Sequence, residues 1–234
     1  MEGGEHRPGR LAAFVRENSL SLFFFAIFVA ALVGQAIAGH SVFNEEQLQH
    51  KEPTISFWRY VTSSHFGQAV TENWQSEYLQ FALFALATVW LLQKGSPESK
   101  ELDKAGGESE KDQKLGRHAQ RDSPAWAKVA GFRQHLYANS LVLVMTSIFA
   151  VSWLIQSIAG QAAYNETRLQ DLQSPVSWSA YLANPDFWAR TLQNWQSEFL
   201  AVGSMVVFSI YLRQRGSPES KPVGEPHGST GVEG

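Results

Sequence analysis

SLSLFFFAIFVAALVGQAIAG, residues 19–39, is an uncharged run of 21 residues. As a helix it is long enough to cross a bilayer hydrocarbon core of roughly 30 Å. Residues 140–160, SLVLVMTSIFAVSWLIQSIAG, form a second run of the same length. The two are related. A shift of 121 residues aligns residues 18–100 with 139–221 without a gap, and 31 of the 83 aligned positions are identical. Identity is densest at Asn18-Ser19-Leu20, Ile37-Ala38-Gly39, Asn73-Trp74-Gln75-Ser76-Glu77 and the stretch 95–100, each with its counterpart in the second copy. Self-similarity over one long period reads as a tandem duplication of a two-helix unit.

The second helix of each unit is less apolar. It reaches crossing length only by starting near Asn73 or Asn194 and taking Glu77 or Glu198 inside. The expected spans are therefore 19–39, 74–93, 140–160 and 195–213, in an all-α, integral-membrane four-helix bundle with interfacial helices. A soluble core would be the alternative, but four such runs with aromatic flanks suit it poorly. The eight tryptophans fall mostly near the ends of apolar stretches or beside them, as interfacial anchors do.

Lysine and arginine set the direction. The N-terminal arm carries Arg7, Arg10 and Arg16, the segment 94–133 carries nine basic residues, and the end carries Arg213, Arg215 and Lys221. The two intervening loops hold only Lys51 and Arg59, then Arg168 and Arg190. Both termini and the linker are thus expected in the cytoplasm, below an inner (plasma) membrane. Two helices per unit make the repeats parallel, unlike the inverted repeats of many transporters. The basic arm, apolar run and Ala36-Ile37-Ala38 imitate a cleavable signal. The run is too long for that, and Ala159-Gly160 recurs inside the chain, so the first span is read as retained.

The chain divides into a cytoplasmic arm (1–17), repeat 1 (18–100), a flexible polar linker (101–122), an amphipathic interfacial helix (123–138), repeat 2 (139–221) and a disordered tail (222–234). Ser123-Pro124 is a helix start, and Trp126, Val129, Phe132 and Leu136 follow at helical spacing. Leu11, Phe14 and Val15 form a shorter version before the first span. In the second outer loop Trp178, Tyr181 and Leu182 have helical spacing. After an Asn184-Pro185 break, Phe187, Trp188, Leu192, Trp195 and Phe199 line one side of a further helix.

A net charge of −3 without a dense basic cluster points away from nucleic acid. The absence of cysteine excludes disulfides, thiolate metal sites and cysteine nucleophiles. The seven histidines have no metal-ligand spacing, and no nucleophile elbow or phosphate loop is present. No metal, cofactor or enzymatic activity is expected.

Two constellations are candidates for function. Glu77 and Glu198 lie about one turn inside the outer ends of helices two and four. Gln35 and Gln156 sit at similar depth, and Asn73 and Asn194 stand four residues before the glutamates. Such a polar cluster is either a proton or small-cation site, or a hydrogen-bond network that fixes helix packing. The second constellation is the hexapeptide Gly95, Ser96, Pro97, Glu98, Ser99, Lys100, repeated as Gly216, Ser217, Pro218, Glu219, Ser220, Lys221. It is either helix punctuation or a cytoplasmic surface for a protein or lipid headgroup, with Lys94 and Arg215 just before it.

Together, the paired Asn-Trp-Gln-Ser-Glu and Arg/Lys-Gly-Ser-Pro-Glu-Ser-Lys segments resemble a bacterial membrane-protein family catalogued only as a domain of unknown function. The resemblance covers nearly all of residues 16–222. It implies a bacterial inner-membrane location and brings no activity or catalytic residues. The expected role is a structural or partner-binding membrane component, its partners being the lipid bilayer and either a cytoplasmic protein or further copies of itself. A small-solute or proton pathway through the paired glutamates is the alternative.

Overall fold

The computed structural model describes residues 9–234; residues 1–8, including Arg7 of the basic arm, lie outside the described residues. Among these residues the protein is all-helical, with α1 (Arg10–Glu17), α2 (Ser19–Gln49), α3 (Phe57–Val61), α4 (Ser64–Trp90), α5 (Phe132–Ala138), α6 (Ser140–Gln170), α7 (Trp178–Leu182) and α8 (Pro185–Tyr211). Helices α6, α7 and α8 each begin and end 121 positions after α2, α3 and α4. The chain forms two compact units, Met1–Gly67 and Gln68–Gly234, and α4 starts in the first and continues in the second.

Helices α2 and α6 are long and apolar enough to cross a membrane. Both run ten residues past the expected ends at Gly39 and Gly160. Those glycines lie inside the helices, and each makes room for a tyrosine. In the first unit a Cβ at Gly39 would collide with the Tyr60 hydroxyl; in the second, one at Gly160 would lie 2.6 Å from the Tyr181 hydroxyl and 3.1 Å from Gln68 Nε2. Each long helix ends instead where a residue turns left-handed, Lys51 (φ 62°) after α2 and Leu172 (φ 59°) after α6. The Glu52 N–H returns to the Gln47 carbonyl at 2.8 Å and the Gln173 N–H to the Arg168 carbonyl at 2.7 Å, the Schellman arrangement.

The chain then folds back through an asparagine clamp. In the first unit Asn44 accepts from the Ile55 N–H (2.8 Å) and donates to its carbonyl (3.1 Å). In the second, Asn165 does the same with Val176, at 2.8 and 2.9 Å. Ser56 and Ser177 cap the short helices α3 and α7, and Asn184 caps α8 by accepting from the Asp186 N–H, with Pro185 at the first helical position.

Helices α4 and α8 start about ten residues before the expected spans at 74–93 and 195–213, and they stop at Trp90 and Tyr211. Their polar first halves keep them below the apolarity that α2 and α6 reach. The segment 123–138 is helical only in part: a 3-10 turn at Ala125–Ala127 is separated from α5 by Gly131 at φ 83°. A glycine in that conformation interrupts an α-helix, which the hydrophobic spacing alone does not register. The tail expected to be disordered, 222–234, has turns and hydrogen bonds within the second unit, described below.

Replacing Gly160 with Val should cost about 1–3 kcal/mol, because the new atoms meet the buried Tyr181 ring. Gly203, with nothing within 4 Å of an added methyl, should accept Ala without loss. Thermal unfolding of both variants in detergent would check the contrast.

Candidate functional site

Within the second unit, α4, α6 and α8 meet along a row of polar side chains. Arg190 approaches Glu72 at 4.0 Å, and the Trp195 indole donates to Gln75 Oε1 at 2.8 Å. Glu198 lies within electrostatic range of Ser76 and Glu77. Positions on α8 rise with those on α4, so the two helices run parallel. Helix α6 runs the other way, with Trp153 Nε1 donating to Thr191 at 3.4 Å and Tyr164 accepting from Asn184 at 3.1 Å. Because Gln68 packs at Gly160, the antiparallel register sets Thr71 and Glu72 level with Gln156, one turn along each helix.

These polar groups are withdrawn from solvent. Gln75, Ser76, Gln156 and Thr191 are each no more than 1% exposed. Gln75 also donates to the Glu72 carbonyl at 3.0 Å. Both amide atoms of Gln156, and Oε2 of Glu72, have no hydrogen-bond partner among the described residues. Around the row Trp153 makes ring contacts with Phe149, Phe187, Trp188 and Trp195, which exclude water and raise the cost of each unpaired polar atom. At the outer end Trp178 donates to Ser157 at 3.1 Å, and the buried Tyr181 hydroxyl donates to Asp186 at 3.1 Å. Burial, then Asp186, pushes the Tyr181 phenol far above its ordinary value, so it stays a neutral donor.

The six residues singled out from the sequence fall differently. Gln156 is the buried one. Glu77 is exposed on α4 and Glu198 half-buried on α8. Asn73 and Asn194 do not join the row: each donates back to its own helix, to the Ala69 and Arg190 carbonyls at 2.9 Å. Gln35 is half-buried on α2 in the first unit. The residues missed are Glu72, Gln75, Ser76 and Arg190. Gln75 and Ser76 stand inside the repeated pentapeptide and were legible there. Glu72 and Arg190 align with Gln193 and Ala69, so a search for positions shared by both copies passes over them.

The repeated hexapeptide builds the same turn twice, and it does not start a helix. Gly95 and Gly216 take φ 86° and 80°, a conformation that favours glycine. Ser96 accepts from the Glu98 N–H and Ser217 from the Glu219 N–H, both at 3.2 Å. Ser99 accepts from the Gln93 N–H and Ser220 from the Gln214 N–H, both at 2.9 Å. Glycine and two serines thus have defined backbone tasks. The lysines differ: Lys100 donates to the Gly106 carbonyl at 3.1 Å and pairs with Glu108 at 3.1 Å. Lys221 is 1% exposed, and its ammonium donates to the carbonyls of Gly95 (2.7 Å), His227 (2.9 Å), Pro226 and Ser229 (both 3.2 Å). It thereby joins the first hexapeptide to the tail.

The tail adds further bonds. The Gly231 N–H donates to the Ser96 carbonyl at 3.0 Å, the Gly95 N–H to Thr230 at 2.8 Å, and Arg213 to the Glu225 carbonyl at 3.0 Å. Between the two turns Glu98 faces Glu219 and Glu233; burial first, then these carboxylates, raises the Glu98 carboxyl above the usual range. No group of three or more His, Cys, Asp or Glu side chains with metal-holding geometry occurs among the described residues.

The geometry defines an all-helical protein that carries two helices fit by length and composition to cross a membrane, a buried polar row and a paired-turn cap. The chain belongs to the family described as a domain of unknown function (DUF6766), whose profile matches residues 11–232. No curated protein and no solved structure matches it.

Lys221→Met should release the tail, because four carbonyls lose a charged donor worth about 1.5–3 kcal/mol per bond. Lys100→Met, at a half-open site, should do much less. Amide exchange at Gly95 and Gly231, faster in the first variant and near wild type in the second, would check this.

Proposed function

We propose that this is a four-span membrane protein of a bacterial inner membrane, built from two tandem two-helix units, that serves as a structural or partner-binding component and not as an enzyme. The observation that carries the reading is the apolar surface of α2 and α6. Only 6% and 17% of their most apolar stretches are buried inside the protein, and Phe23, Phe24 and Phe25 stay 61–63% exposed. A continuous apolar surface of that kind needs hydrocarbon around it. The shared 121-residue offset makes α4 and α8 the return spans of two like units. The basic residues on the arm, the linker and the end support cytoplasmic termini.

The cysteine-free chain allows a direct test. Single cysteines at Glu52, Gln173, Gln93 and Gln214, all exposed, would be probed in intact cells with an impermeant thiol reagent. Positions 52 and 173 should label from outside, and 93 and 214 only after permeabilisation. Labelling of 52 and 173 from opposite sides would overturn the parallel arrangement.

A second reading has one observation in its favour: a fully buried Gln156 amide without a hydrogen-bond partner among the described residues, level with Glu72. A small polar solute or a proton crossing through the row would find a donor and acceptors there. On this reading, Gln156→Leu and Glu72→Gln each lower proton or small-cation flux in proteoliposomes at least tenfold, an effect on the order of one unsatisfied buried polar group. Equal flux in empty and loaded vesicles would leave the row a packing network.

A further inference from the structure

The chain just beyond α8 holds two positive charges, Arg213 and Lys221. The first is half-buried and the second buried, and neither forms an ion pair with a carboxylate among the described residues. Backbone oxygens meet them instead. Arg213 donates through Nη1 to the Ser209, Ile210 and Leu212 carbonyls, and through Nη2 to the Glu225 carbonyl. Lys221 donates to the Gly95 carbonyl and to those of Pro226, His227 and Ser229. Four of the five carbonyls from 225 to 229 are thus held by these two cations. The Arg213 Nε–H is buried and has no acceptor among the described residues. Desolvation first, and then the Arg213 charge, lowers the Lys221 ammonium below its ordinary value, and Glu225 offsets only part of this.

We propose that Arg213 and Lys221 form a phosphate site for the headgroup of an anionic lipid, and that the segment 225–229 occupies it as a built-in competitor. The proposal rests on the membrane reading above, which sets the ends of α4 and α8 at the inner leaflet. Trp90 and Leu91 at the end of α4, and Tyr211 and Leu212 at the end of α8, are exposed directly before the polar turns. Exposed aromatic residues followed by cations suit headgroup depth. Positive charge withdrawn from water is costly when only neutral groups meet it. A phosphate offers a guanidinium and an ammonium oxygen acceptors that also carry the opposite charge. The tail, by contrast, is held against like charge at its far end. Glu98, Glu219 and Glu233 line one hollow of about 190 Å³ with Pro97 and Pro218. None of these three is among the charges that act on Lys221, which are those of Arg213 and Glu225. Glu225 belongs to the tail and leaves with it.

A spin label on the full chain at Gly228→Cys, where an added side-chain atom meets nothing within 4 Å, would report the tail. In nanodiscs of neutral phosphatidylcholine it should move slowly, with the tail docked. Replacing part of the lipid with phosphatidylglycerol should free it, and should speed amide exchange at Gly231 of the unlabelled protein. In mixed micelles Arg213→Gln should weaken retention of phosphatidylglycerol about fivefold, the worth of one basic residue near a charged surface. Arg213→Lys keeps the charge and should retain the lipid nearly as wild type does, which separates a lost charge from a lost fold. An equally still label in both lipids, or equal retention by wild type and Arg213→Gln, would overturn the site. Release of the label by millimolar inorganic phosphate in neutral nanodiscs would keep the phosphate site and overturn the lipid as its ligand; release by phosphatidylglycerol alone would assign it to the lipid. Protein released from membranes by alkaline carbonate would instead overturn the membrane reading, and the phosphate titration would still test the two cations in solution.

Discussion

Each long helix has to reverse direction, and the reversal is made by one asparagine side chain acting as a strand of backbone. Asn44 and Asn165 satisfy both the N–H and the carbonyl of a residue eleven positions on. An extended segment beside a helix has no ladder to pair with, and unpaired backbone groups are expensive wherever water is scarce. The clamp removes that cost and delivers the chain to a serine-capped short helix. The tyrosine of that helix then lies against a helical glycine of the long one. In each copy the closure leads into the next long helix, α4 from Ser64 and α8 from Pro185.

The hexapeptide shows how a repeated motif can be structural in most positions and still leave room for divergence. Its glycine takes a left-handed turn and its two serines satisfy backbone donors, which explains their identity in both copies. Its lysine is reused: Lys100 holds a nearby loop, whereas Lys221 is drawn inside a cage of four carbonyls. A buried ammonium is tolerable because every donor direction meets an oxygen. The end of the chain is thereby tied to the turn that follows α4.

The buried row leaves an entire side-chain amide unpaired. Trp195 and Gln75 answer each other, as do Tyr181 and Asp186, while the Gln156 amide has no hydrogen-bond partner among the described residues. Native interiors rarely leave such groups alone.

Much was legible from residues alone. The apolar runs, the 121-residue offset, the Asn184-Pro185 start of α8 and the importance of the pentapeptide and hexapeptide all follow from local composition and from comparison of the chain with itself. Period, length and capping chemistry are properties of neighbouring residues. The sequence could not show which pentapeptide would be buried, because identical residues carry identical signals and only the crossing of α4 and α8 distinguishes them. It also could not show that Glu72 and Arg190 matter, since neither is shared between the copies, or that the polar tail is held by Lys221. Those outcomes depend on which side chains meet across distant helices, and that is decided by packing in three dimensions.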